Sequence, residues 1–265
     1  MIVVGDTRSA NLGSKSLANA GPTVASISMV SALLEKTVRL GTDQDRLLRK
    51  AGVPFSAEAL ANGGIASMTR CQVASLYREC ILEIESYACR EDGVSPSDDD
   101  GGIFKLLCYS ILTCRVLSDV VDRLAELSGV LARIAANLSV HRGTDLVTFT
   151  LLWHRAQNQC AFLTDVLALS NFYRLFNWLI GAKIPLWRVT VRYPVQLSDG
   201  HISEHFEVPL RFNAPANSFT FPARFLQYPV IRNDAELKEF LTYNPFDPTP
   251  LNDESGPVSE YIRAI

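Results

Sequence analysis

The chain lacks the common signatures of catalysis: it has no G-x-S-x-G elbow, no P-loop, no G-x-G-x-x-G after a strand, no H-E-x-x-H and no C-x-x-C pair. These absences remove the usual hydrolases, nucleotide enzymes and zinc sites, although convergent triads need no motif. Long apolar runs are missing too. Asp, Arg or Asn interrupts each candidate before the roughly 18 residues that a membrane span needs. Nor is there an excess of positive charge: the net charge is -3 with a pI near 5.8, so no broad attraction to phosphate backbones is expected. Residues 1–23 have a short apolar run that turns Ser/Ala/Asn/Gly-rich, without the basic region and apolar core of an export signal, and read as a flexible tail. Cys71, Cys80, Cys89, Cys108, Cys114 and Cys160 sit mostly within apolar helical patterns, where free thiols behave as small hydrophobes rather than disulfide or metal partners. A reducing cytoplasm and no membrane association are the expectation.

Apolar residues are plentiful, at 48% of 265. A chain of this size can hold one large domain, with roughly 75% of the unfolded surface buried at about 300 residues. Val24, Ile27, Val30, Leu33, Leu34 and Val38 recur at helical spacing until Gly41 ends the run. A second helix starts from Thr42 or Asp43 and closes before Gly52 and Pro54. Thr69 to Tyr87 is a third, with Val73, Leu76, Tyr77, Cys80, Ile81 and Ile84 on one side. Arg90 to Gly102 reads as a solvated loop. Its consecutive Asp98, Asp99 and Asp100 lack the alternating spacing of a calcium loop. Helices resume at Ile103 to Leu112 and Leu117 to Ile134. Cys160 to Ile180 is a long apolar helix, ended by Gly181, that can cover a sheet.

The strand signals lie in two groups. Leu138 and Val140, then Val147, Phe149, Leu151 and Trp153, alternate around the turn Arg142 to Asp145, as a hairpin does. Between Leu186 and Phe221, Trp187, Val189, Val191 and Tyr193 share one face against Arg188, Thr190 and Arg192. Phe206, Val208, Leu210 and Phe212 repeat the pattern, and Asn217, Phe219 and Phe221 continue it after a turn at Asn213 to Pro215, so this segment reads as an antiparallel ladder. The class is α+β: a mostly helical domain over 24–241, with an antiparallel or mixed sheet formed by residues of about 136–153 and 186–221. Residues 242–257, with Pro245, Pro248, Pro250 and Pro257, read as an extended linker, and 258–265 begin an amphipathic pattern.

Candidate chemistry is sparse. His201 and His205 are four apart but follow a turn and lead into a strand, so an exposed turn competes with a ligand pair. His141 flanks the hairpin turn and His154 ends a strand. No metal or cofactor is expected. Tyr109, Trp153, Phe162, Tyr173, Trp187, Tyr193 and Phe206 could line an apolar pocket between helix and sheet, although the same spacing describes an ordinary core. Arg188, Arg192 and Arg211 fall on the opposite strand face, where they are either solvated or a clamp for a carboxylate.

Three segments resemble AraC-type transcription regulators: Gly41 to Pro54, the helix pair within Gly102 to Leu124, and the run from Arg188 through His205–Asn213 to Asn217–Pro229. The likeness is to their N-terminal effector-binding or dimerisation domain, of the arabinose-binding-domain type, and it covers about Val24 to Leu241. The run that ends at Pro229 is its most specific part. Where that family often has a Leu/Gly-rich segment, this chain has Ser95 to Asp100, and no ligand-contacting motif transfers residue by residue. The resemblance implies a non-enzymatic regulatory domain that senses a small-molecule effector, forms a homodimer, or does both. It also implies DNA contact only through a helix-turn-helix part after the linker, of which 258–265 would be the start. A small-molecule enzyme using His154 or His205 as base, and a solid dimerisation module without a ligand, are the competing classes.

Overall fold

A computed structural model of the chain describes residues 24–62, 68–91, 93, 102–131, 137–152, 156–198, 206 and 208–243. The expected tail, the acidic run Asp98 to Asp100, Trp153, His154, His201, His205 and the proline-bearing linker lie outside these residues. The helices are α1 (Val24–Arg39), α2 (Gln44–Lys50), α3 (Ala57–Ala61), α4 (Arg70–Glu91), α5 (Gly102–Ile111), α6 (Leu117–Leu131), α7 (Gln159–Ile180) and α8 (Asp234–Tyr243). The strands are β1 (Asn137–Arg142), β2 (Leu146–Leu152), β3 (Arg188–Thr190), β4 (Leu210–Arg211) and β5 (Asn217–Pro222).

Local sequence chemistry sets the helix ends. Asp43 caps α2 by accepting from the Asp45 N–H at 3.0 Å. Thr69 and Gln72 form a reciprocal box at the start of α4: the Thr69 N–H donates to Gln72 Oε1 at 2.9 Å, and the Gln72 N–H to Thr69 Oγ1 at 3.3 Å. The carboxamide of Asn158 caps α7 through the Ala161 N–H at 2.8 Å. Gly181 ends α7 with φ +62°, and a β-carbon there would collide with Ile231. On α1, Val30, Leu33 and Leu34 are buried but Val38 is 44% exposed. Thr37 takes the core side of that last turn, with its hydroxyl donating to the Leu34 carbonyl at 2.7 Å.

The expected α+β class holds, with a mixed five-stranded sheet in the order β1-β2-β5-β3-β4. β2 pairs antiparallel with β1 and β5, and β5 with β3. The antiparallel ladder expected across 186–221 fails at one joint: β4 pairs parallel to β3, with Val189 beside Leu210 and Thr190 beside Arg211. The chain between Thr190 and Leu210 is a crossover rather than a hairpin, the long return that parallel neighbours require. A second departure is Trp187. It belongs by parity with Val189, Val191 and Tyr193, yet it is 70% exposed while those three are fully buried. The Trp187 N–H still donates to the Thr220 carbonyl of β5 at 2.8 Å, but β3 itself starts at Arg188, and Leu186 packs against the core in place of Trp187.

Both sheet edges are protected. At β1, Ser128 of α6 accepts the outward Leu138 N–H at 2.7 Å, and Arg142 pairs with Asp122 of the same helix at 2.5 Å. At the other edge β4 is only Leu210–Arg211. α7 lies across the remaining inner face and also packs against α4, so it is apolar almost all round. Aromatic rings fill the space between its second half and the sheet. Phe149 stacks on Phe219 at 5.1 Å and meets Phe176 edge-on at 5.3 Å, while Phe176 contacts Phe221 at 6.5 Å and Tyr173 meets Phe219 at 5.8 Å. At the far end Trp178 stacks on Phe240 of α8 at 4.3 Å.

Candidate functional site

α7 carries two charged residues in its 22, Asp165 and Arg174. Asp165 is fully buried, at 0% exposure, which is costly for a carboxylate unless hydrogen bonds replace its water. Its Oδ2 accepts from the Tyr193 hydroxyl at 2.6 Å and from the Asn217 Nδ2 at 2.8 Å. Both partners are themselves fully buried. Asn217 opens β5, on the inward side shared by Phe219 and Phe221, and its Oδ1 accepts the Arg192 N–H at 3.0 Å. A single polar knot thus joins α7, β5 and the chain leaving β3.

The electrostatics follow from that burial. The Tyr193 hydroxyl is held well above the ordinary phenol range, first by burial, then by the Asp165 charge and by its hydrogen bond to Asp165; Arg192 opposes the shift. The Arg192 guanidinium carbon lies 5.1 Å from the Tyr193 ring centroid, a cation-π approach. Tyr193 therefore serves as a hydrogen-bond donor, not as a base. Phe162, one turn before Asp165, meets the Tyr193 ring edge-on at 5.5 Å and Phe212 at 6.1 Å, which encloses the knot in aromatic surface.

The aromatic residues predicted to share one pocket fall into separate places. Phe162 and Tyr193 stand together at the knot. Tyr173 and Phe206 pair at 6.2 Å further along α7, where the Tyr173 hydroxyl donates to the Ile184 carbonyl at 2.8 Å and is part of the solid core. Tyr109 is half-buried on α5, which packs against α6 and α8, and Trp187 is exposed. Trp153 is outside the described residues. Of the predicted arginines, Arg188 and Arg211 lie on β3 and β4, on the sheet face turned away from α7, while Arg192 bends toward the Tyr193 ring beyond the end of β3. His141 is exposed on β1. Among the described residues no three His, Cys, Asp or Glu side chains converge as a metal site.

Sequence reasoning did not single out Asp165 and Asn217. The available signal was a lone acid in the middle of an otherwise apolar helix, since such a charge persists only when partners are built for it.

Residues 41–230 match the family model described as the arabinose-binding domain of AraC transcription regulators, N-terminal. No curated protein matches the chain.

Proposed function

We propose, from the premise that this chain belongs to the family of N-terminal arabinose-binding domains of AraC transcription regulators, that it is a sensor whose effector engages the Asp165 knot. The family is that of a regulatory, ligand-binding domain and in general not of an enzyme. The observation that carries the finer reading is a buried carboxylate with convergent polar partners inside aromatic walls, the composition of small-molecule sites. An effector that takes one of Asp165's hydrogen bonds would free Tyr193 or Asn217 and so move the chain after β3 relative to α7. Such a ligand acts by its differential affinity for the two arrangements.

In the intact regulator that movement changes association into a homodimer, or docking against a helix-turn-helix part beyond the proline-bearing stretch that follows α8, which runs two residues past the expected linker start at 242. DNA is contacted by that part, in the cytoplasm. With the β1 edge covered and β4 so short, dimerisation would use helical surface rather than strand addition.

The test is a metabolite screen read by thermal unfolding. A specific effector raises the midpoint with concentration, about 2.7 kcal/mol of stabilisation at a hundredfold excess over Kd. Asp165→Asn and Tyr193→Phe should weaken that response. No response to any metabolite would favour a ligand-free dimerisation module, and turnover of a hit would favour an enzyme. For the full-length protein, promoter binding across salt concentrations should respond to the effector, with none from this domain alone.

A further inference from the structure

The sheet face turned away from α7 has a different chemistry from the aromatic inner face. By strand parity it carries Thr148 and Thr150 of β2, Ser218 and Thr220 of β5, Arg188 and Thr190 of β3, and Arg211 of β4. The register sets Arg211 directly beside Thr190 and Arg188 directly beside Thr220, so the two arginines are diagonal neighbours, about 7–8 Å apart at the backbone. None of the five strands contains an acidic residue. Among the described residues neither guanidinium has a hydrogen bond or an ion pair, and the Arg188 Nε is buried without an acceptor. A buried N–H left without an acceptor is destabilising, and native structures rarely retain one without a role.

Around the arginines the hydroxyls are paired. Thr190 and Ser218 lie 2.7 Å apart, Thr148 and Thr220 3.0 Å apart, and the Thr190 hydroxyl also reaches the Ala216 carbonyl at 3.0 Å. Within the Thr148–Thr220 pair one hydroxyl donates to the other, so one proton remains for a further acceptor. Two forked cations and a hydroxyl donor, fixed on a hydrogen-bonded frame, make a set of donors without an acceptor among the described residues.

We propose that Arg188 and Arg211, with the Thr148–Thr220 hydroxyl pair, bind the phosphoryl group of a small anionic ligand on the outer face of the sheet. Two guanidinium groups match the charge of a dianion better than that of a single carboxylate, and each can present two parallel N–H bonds to it. The site lies on the opposite side of the sheet from Asp165 and does not depend on the effector reading.

The probe is inorganic phosphate titrated into the full chain at constant ionic strength, with chloride exchanged out, followed by calorimetry and by tryptophan fluorescence. Exposed Trp187, next to Arg188, is the reporter. Saturable binding is expected, weakened more than about tenfold by Arg188→Gln and by Arg211→Gln, and unchanged by Arg39→Gln, an exposed arginine on α1. Trp187→Phe should remove the optical signal and keep the heat. Arg188→Gln should leave the unliganded midpoint unchanged or raised, because it removes a buried Nε–H that has no acceptor; a marked fall would mean a structural role and overturn the proposal. Equal binding by the arginine variants, no saturable binding, or a stronger response to acetate than to phosphate would overturn it too. Glycerol phosphate tells the sources apart: a gain over inorganic phosphate points to a phosphate ester, and equality to the free ion, with either outcome supporting the site.

Discussion

The two halves of α7 face the same sheet and are built on opposite principles. From Phe172 to Ile180 the helix meets Phe149, Phe219 and Phe221 through closely spaced rings, and Tyr173 and Asn177 use their polar atoms to pin the turn at Ile184. From Phe162 to Asp165 it meets Tyr193 and Asn217 through a buried carboxylate. Ring packing has one good solution and resists change, since interiors are as dense as crystals of small molecules. Hydrogen bonds to a carboxylate can be exchanged for bonds to a ligand at little net change. The first half holds the domain together, and the second is the half that the proposed effector would engage.

The largest test of that contrast is Phe219→Ala. Phe219 touches Phe149, Tyr173, Phe176 and Phe221, so its removal should leave a cavity and cost about 3–5 kcal/mol in chemical denaturation. A loss below about 1 kcal/mol would show that the aromatic half is not the stability centre. Asp165→Ala comes next, at about 3 kcal/mol, because it leaves the Tyr193 hydroxyl and the Asn217 amide buried without their acceptor. Unlike Phe219→Ala, it should also abolish any effector-dependent rise in the unfolding midpoint.

How legible these halves are in the sequence depends on how local their causes are. Gly41, Gly181, Asp43 and the Thr69–Gln72 box act within a turn of the chain, and the expected helix ends at those points agree with the structure. α3 and α8 are absent from the helices expected from the sequence, although Ser56 caps one and Asn233 with Glu236 the other in the same way. The inward parity of Val189, Phe219 and Phe221 was readable, but strand direction was not. Parallel β4 follows from a crossover whose course no periodicity encodes. Asp165 looked like an interruption of an apolar run, because its partners lie 28 and 52 residues away in sequence. Nor could spacing show that Tyr109, Tyr173 and Trp187 would part company with Phe162 and Tyr193.

Alkaline stability separates the buried titrating groups by onset. Burial pushes the thiols of Cys80 and Cys108 up from 9.0 to about 12, and raises the phenols of Tyr77 and Tyr193 above their ordinary 10.0. Each group holds its proton more tightly folded than unfolded, so its contribution is complete below the ordinary value and is lost as pH rises toward the folded one. Unfolding free energy should therefore begin to fall near pH 9 and steepen past pH 10. Cys80→Ala and Cys108→Ala should flatten the first part of the slope, and Tyr193→Phe the second. A stability curve flat from pH 8 to 11 would contradict both shifts.

The finest discrimination comes from making one substitution in each half. Tyr193→Phe and Tyr173→Phe each delete a buried hydroxyl that donates one hydrogen bond, at 2.6 Å to the Asp165 carboxylate and at 2.8 Å to the Ile184 carbonyl. Ring volume is unchanged in both, so the difference reports what each hydroxyl bonds: the Asp165 carboxylate and the Arg192 side chain for Tyr193, the Ile184 carbonyl for Tyr173. A bond to a charged acceptor contributes about 1.5–3 kcal/mol and a neutral one about 1 kcal/mol. Tyr193→Phe should accordingly cost about 2 kcal/mol and Tyr173→Phe about 1 kcal/mol by denaturant titration. The reverse order would mean that Asp165 is not acting as a charged acceptor in the folded domain. The contrast between a sealed half and a responsive half would then rest on packing alone.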